Sequence, residues 1–188
     1  MDATQTATAR PTTTVIALIV AAGVLTGVAI LFGERALGGP TAAAPMTAVG
    51  VAVVCYLAAA ATGIRWMAWL WVPIGTLLVG AAVLLGLPRP VLLVAAAVVL
   101  LVIGLVRRPA PTGTQALAML GYLGVAVAAL FLAPRLGLAV AAIALIAHAG
   151  WDLVHYRRNV VVDRSLALWW MGLDVALGGA CLVFAVAG

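Results

Sequence analysis

Residues 136–158 read LGLAVAAIALIAHAGWDLVHYRR, and the fold is decided by how this stretch is read. It is apolar for most of its length and closes on the pair Arg157 and Arg158. A helix rises 1.5 Å per residue, so about 20 residues cross the roughly 30 Å of hydrocarbon in a bilayer. The stretch therefore has the length of one membrane span, with an arginine pair at the interface. Six more runs share its character, at 14–32, 44–61, 67–87, 91–106, 115–132 and 166–187. The run at 91–106 is the shortest of them. Gly, Pro and Arg fill the breaks: Gly33 to Pro40, Thr62 to Arg65, Pro88 to Pro90, Arg107 to Gly113, Pro134 with Arg135, and Arg157 to Arg164. These are turn signals. The pattern predicts an all-α, polytopic transmembrane bundle of seven helices. Residues 1–13 form a polar, Thr-rich tail, and residues 14–188 form one transmembrane domain.

Composition agrees. Of 188 residues, 66% are hydrophobic and 8% are charged, with a mean hydropathy of +1.27. Soluble proteins carry about 25% charged residues, and a chain this apolar has too little polar surface to cover a water-soluble fold. The first run follows Arg10, but its apolar core is too long for a secretory signal, and no small-x-small site follows it. It is expected to remain as a span.

The net charge is +5, and every basic residue is arginine. Without lysine there is no Schiff base, which excludes a retinal protein of the usual kind despite the helix count. Arginine in place of lysine, among so much Ala, Val, Leu and Gly, points to a high-GC bacterial genome. Nucleic acid is excluded as a partner, because the arginines stand singly or in pairs between apolar runs and form no basic surface that could follow a phosphate backbone. They set topology and meet anionic head groups of membrane lipids. Arg10, Arg65, Arg107, Arg108, Arg157, Arg158 and Arg164 fall on one side, and Arg35, Arg89 and Arg135 on the other. This asymmetry predicts a multi-pass protein of the plasma membrane, with the N-terminus cytoplasmic and the C-terminus outside.

Tryptophans gather toward the predicted cytoplasmic face: Trp66, Trp69 and Trp71 open the third run, Trp151 nears the end of the sixth, and Trp169 and Trp170 open the seventh. Such rings form interfacial belts, and they also line pockets for apolar ligands. Trp66, Trp69, Trp151 and Trp170 are the candidates for contact with a substrate. Gly23 and Gly27 make a GxxxG, and Gly80 with Gly86, and Gly172 with Gly178 and Gly179, thin two other helices for close packing. Cys55 and Cys181 read as two small buried residues, and no CxxC is present.

Chemistry has few carriers in this chain. It has five acidic residues and two histidines. Asp2 lies in the tail, Glu34 at the outer end of the first run beside Arg35, and Asp163 in an arginine-rich loop. His148, Asp152, His155 and Asp174 remain. On a helix, positions 148, 152 and 155 lie at about 0°, 40° and −20°, which makes one polar stripe on an apolar helix. Ionisable groups at membrane depth cost about 2.5–3.5 kcal/mol each on insertion scales and usually face the bundle interior. The sixth and seventh runs are antiparallel neighbours, so His148 and Asp174 should share a depth and face one another across a cavity open toward the cytoplasmic half.

Three chemistries suit such a set. An imidazole held by a carboxylate performs acid–base catalysis. His148, Asp152 and Asp174 form the best donor set for a divalent metal, with His155 behind them, because His148 and His155 are about 10.5 Å apart along the axis. A relay of Asp and His also carries protons in transporters. In helix count and scarcity of acids, the chain resembles small seven-helix membrane enzymes that act on isoprenoid or lipid substrates. The seven-helix ceramidase-like hydrolases place histidines on separate helices, whereas both histidines here share one. The favoured expectation is an enzyme acting on a lipophilic small molecule. A proton- or metal-coupled carrier and a non-catalytic assembly subunit are the alternatives.

Overall fold

The computed structural model describes residues 12–107 and 111–187. The polar tail up to residue 11, with Asp2 and Arg10, lies outside the described residues, as does Arg108. Seven helices account for nearly all of the rest: α1 (Thr13–Ala36), α2 (Ala43–Thr62), α3 (Met67–Leu84), α4 (Pro90–Arg107), α5 (Thr112–Leu130), α6 (Pro134–Arg158) and α7 (Arg164–Ala187). All seven are long and apolar enough to cross a membrane. The protein is an all-helical, multi-pass membrane bundle.

Local chemistry sets the helix ends. Thr12 caps α1, its hydroxyl oxygen accepting from the Val15 amide at 3.4 Å. Gly63 ends α2 in the left-handed region at φ 71°, where a side chain would be strained. The third run stops at Leu84, earlier than expected, because Gly86 turns at φ 68° just before Pro88. The first run continues four residues beyond its expected end, to Ala36. Asn159 closes α6, also left-handed.

The α6–α7 loop is tied down by the α2–α3 loop. Arg65 donates to the Asn159 side chain at 2.5 Å and to the Val162 carbonyl at 2.7 Å, and it stands 3.7 Å from Asp163. These bonds hold Val161 at φ 66°, a conformation a β-branched residue adopts only under constraint from its surroundings. Asp163 thus faces an arginine of the α2–α3 loop rather than the arginines of its own loop, which its position in the sequence had suggested.

α2 is the axle of the bundle. Every residue from Ala44 to Ala61 except Thr47 is buried. The other helices arrange around it in chain order, α3 against α4, α5 against α6, α6 against α7, and α1 packs outside on α7. The cause is side-chain size. α2 is built of Ala, Val and Gly with few large residues, so neighbours approach it from all sides, and packing rather than water exclusion drives association in lipid. The large apolar side chains that face outward, such as Leu25, Leu77, Val102, Leu117 and Val183, come from the surrounding helices.

Glycines make the closest crossings. A Cβ on Gly23 would run into the Trp169 carbonyl, and one on Gly172 into the Val20 carbonyl, so α1 and α7 touch backbone to backbone. Gly27 meets the Leu173 carbonyl in the same seam, and Gly178 meets Ile146 and the Ala142 carbonyl on α6. Gly80, Gly86 and Gly179 do not pack this way, since nothing lies within 4 Å of where their Cβ would be. Gly80 instead lines an opening between α3 and the α1–α7 pair. Cys55 and Cys181 are both free and buried.

Candidate functional site

The turn between α6 and α7 works like a hairpin. His148 lies ten residues before the end of α6 at Arg158, and Asp174 ten residues after the start of α7 at Arg164. Antiparallel packing therefore brings them to one depth, and both face inward. His148 Nδ1 and Asp174 Oδ2 are 2.8 Å apart, and both side chains are essentially without solvent exposure. Asp152, one turn along α6 from His148, sends its Oδ2 to 3.4 Å from the same ring nitrogen. One imidazole edge is thus shared by two carboxylates from two helices.

A third helix completes the group. The Tyr56 hydroxyl, from the buried axle α2, donates to Asp152 Oδ1 at 2.5 Å. Tyr56 also packs edge-on against both His148 and His155, at 5.7 and 4.8 Å between ring centroids. Tyr122 of α5 and Trp170 of α7 stand against His148 from other sides, at 5.2 and 6.5 Å. Loss of the Tyr56 hydroxyl removes a hydrogen bond to a carboxylate, worth about 1.5–3 kcal/mol. Tyr56→Phe should therefore lower the thermal midpoint in detergent or nanodiscs, and an unchanged midpoint would mean that Tyr56 does not hold Asp152.

His155 belongs to a different local network. Its Nε2 is 3.0 Å from the Gln115 side-chain nitrogen and its Nδ1 is 2.9 Å from the Trp151 carbonyl. With Nδ1–H donating to that carbonyl, Nε2 accepts from the Gln115 amide. His155 therefore sits against the Tyr56 ring, about two helical turns beyond His148 toward the arginine-rich end of the bundle.

The cluster is sealed, which corrects the expectation of a cavity shared by α6 and α7. His148, Asp152 and Asp174 are fully buried. Among the described residues, the buried side-chain polar atoms without a partner are His148 Nε2, Asp152 Oδ2, Asp174 Oδ1 and Trp170 Nε1. All four belong to this cluster or to its wall. Native interiors satisfy nearly all such atoms, so their concentration in one place calls for an explanation such as a bound ion, a water or a reacting group.

Two apolar grooves flank the cluster. One, of about 710 Å³, runs between α5 and α6 and is walled by Tyr122, Ala144, Ala147 and Trp151. The other, of about 660 Å³, opens between α3 and the α1–α7 pair over the small residues of α2, from Trp170 to the pair Glu34 and Arg89. Tyr122 both lines the first groove and packs on His148, and Trp170 does the same for the second. Of the four tryptophans singled out, Trp151 and Trp170 border these grooves. Trp69 packs on Trp169 and donates to the Ser165 hydroxyl at 3.1 Å. Trp66 is 57% exposed and borders neither groove.

Glu34 is not the partner of its neighbour Arg35. It pairs with Arg89 at 2.6 Å, which links the end of α1 to the start of α4, while Arg35 lies over the Phe184 ring at 4.9 Å. Tyr56, Gln115 and Tyr122 are additional parts of the site that the acids and histidines alone did not reveal. The available signal was their isolation: Tyr56 is the one aromatic residue in α2, and Gln115 the one amide in α5.

No known protein family matches the chain, and no curated protein or solved structure matches it either. The site stands on its own geometry.

Proposed function

We propose that this protein is a membrane-embedded enzyme acting on a lipophilic substrate, with His148, Asp152 and Asp174 as its reacting centre. One observation carries the reading. An imidazole and two carboxylates converge at 2.8 and 3.4 Å inside the bundle, with polar atoms left unpartnered, between two apolar grooves. Groups that are costly at this depth are seldom placed together without a task. Carboxylates fix the orientation and tautomer of an imidazole, which is the arrangement that takes up and returns a proton during a reaction.

Access from the lipid phase fits the surroundings. Connections between the described helices are short, so no soluble domain is built from them to capture a polar substrate. Tyr122 of the α5–α6 groove packs on His148, and a chain-like molecule resting there meets Tyr122 and Trp151. Rotation of the Tyr122 ring would open the way to the imidazole. Trp170 performs the equivalent role in the groove between α3 and the α1–α7 pair.

The test is conversion of lipid. Wild-type protein and His148→Asn are reconstituted in nanodiscs with a total bacterial lipid extract, and the lipids are compared by mass spectrometry over time. The expected result is at least one lipid species consumed by the wild type and untouched by His148→Asn, which keeps a polar side chain of similar size. Equal lipid profiles, with both proteins folded, would overturn the enzymatic reading and leave the cluster as structural glue.

A further inference from the structure

We infer that His148, Asp152 and Asp174 bind one divalent transition metal ion, a proposal that rests on the same centre being the reacting one. The three residues offer one donor atom each, and those atoms all lie within 4.8 Å of one another. They come from two helices packed by glycine, and Tyr56 of a third helix fixes Asp152 from behind. An outer hydrogen bond that orients a ligating carboxylate is a regular part of metal sites.

The distances fit a small ion. Metal–ligand bonds near 2.0–2.2 Å put tetrahedral donors about 3.3–3.5 Å apart. His148 Nδ1 and Asp152 Oδ2 already stand at 3.4 Å. His148 Nδ1 and Asp174 Oδ2, at 2.8 Å, need to part by about half an ångström. The proton on Nδ1 occupies the place that the ion takes. Charge supports the same conclusion, because a divalent cation balances two carboxylates with a neutral imidazole as third ligand. The ion would also take up Asp152 Oδ2, one of the buried polar atoms without a partner, and bring its fourth ligand beside Asp174 Oδ1.

Mixed imidazole and carboxylate donors suit Zn²⁺, Fe²⁺ or Mn²⁺. Three protein ligands leave a fourth position open, as in catalytic rather than structural zinc sites. A water or a substrate oxygen held there would be polarised by the ion and would give its proton to the unpartnered Oδ1 of Asp174, while His148 serves as ligand instead of proton carrier. His155 lies outside the set, held by Gln115 and Trp151.

The experiment measures metal directly. Wild-type protein, Asp174→Asn and Asp152→Asn are expressed with added Zn²⁺, purified without chelator, and their metal content is determined by mass spectrometry. About one Zn²⁺ per chain is expected in the wild type and at least a tenfold lower content in each variant, with the wild type alone losing thermal midpoint on treatment with chelator. Replacing Zn²⁺ by Co²⁺ should give the visible absorption of a tetrahedral site in the wild type. Metal content far below one per chain, with a midpoint indifferent to chelator, overturns the inference without requiring any variant to fold. Lipid conversion that survives chelation would reject the metal and keep the enzyme. Stoichiometric metal without lipid conversion would reject the enzyme and keep the metal.

Discussion

His148→Ala should be destabilised by about 3–5 kcal/mol, more than either Asp174→Ala or Asp152→Ala, as is typical when one partner is removed from a buried ion pair. The ranking follows from who is left behind. Without His148, Asp152 and Asp174 remain buried with no cationic or donor group between them beyond the Tyr56 hydroxyl on Asp152. Without Asp174, the imidazole still has Asp152 at 3.4 Å. Without Asp152, it still has Asp174 at 2.8 Å, although Tyr56 loses its acceptor. Each aspartate variant therefore keeps a fallback contact, and the histidine variant does not. Adding Asp174→Asn to His148→Ala should recover part of the loss, because it removes one of the two facing carboxylates. Reversible unfolding in mixed micelles measures all four proteins. A His148→Ala variant no less stable than Asp174→Ala would show that the imidazole is not what the carboxylates depend on.

The second large effect is expected from one methyl group. Gly172→Ala places a Cβ against the Val20 carbonyl of α1, where the two helix backbones touch. Neither side is a flexible side chain that can move away, so α1 must shift. Overpacking of this kind costs about 1–3 kcal/mol. Gly179→Ala, two turns further along the same helix, has nothing within 4 Å of its new methyl. Alanine is the better helix former by about 0.5–1 kcal/mol, so Gly179→Ala should be neutral or slightly stabilising. The thermal midpoint should fall for Gly172→Ala and hold or rise slightly for Gly179→Ala, and an equal fall in both would contradict the α1–α7 seam.

Much of the fold was legible because bilayer thickness dictates helix length, and the breaks between runs carry Gly, Pro and Arg. Burial was harder to read. In a water-soluble helix a polar face points outward, but here the helices are apolar nearly all round, so periodicity marks the inner side only on α6, through the stripe of His148, Asp152 and His155. α2 became the axle through residue size, a weaker cue than polarity. The pairing of His148 with Asp174 followed from equal distance to one turn. The presence of Tyr56 and Gln115 did not follow, since it depends on which helix fills the centre. The seal around the cluster also escaped the sequence, because it is made by rings from α2, α5 and α7 that converge only in three dimensions. Glu34 shows the same limit: its neighbour in sequence is Arg35, yet its partner is Arg89.

A double-mutant cycle at His148 and Asp174 tests most directly whether the scarce ionisable groups of α6 and α7 interact inside the bundle. Stabilities of the wild type, His148→Ala, Asp174→Ala and the double variant should give a coupling of about 1–3 kcal/mol, the range of residues in direct contact. Effects that add to within about 0.5 kcal/mol, as they do for distant and independent sites, would place the two side chains apart and remove the centre on which the proposed chemistry stands.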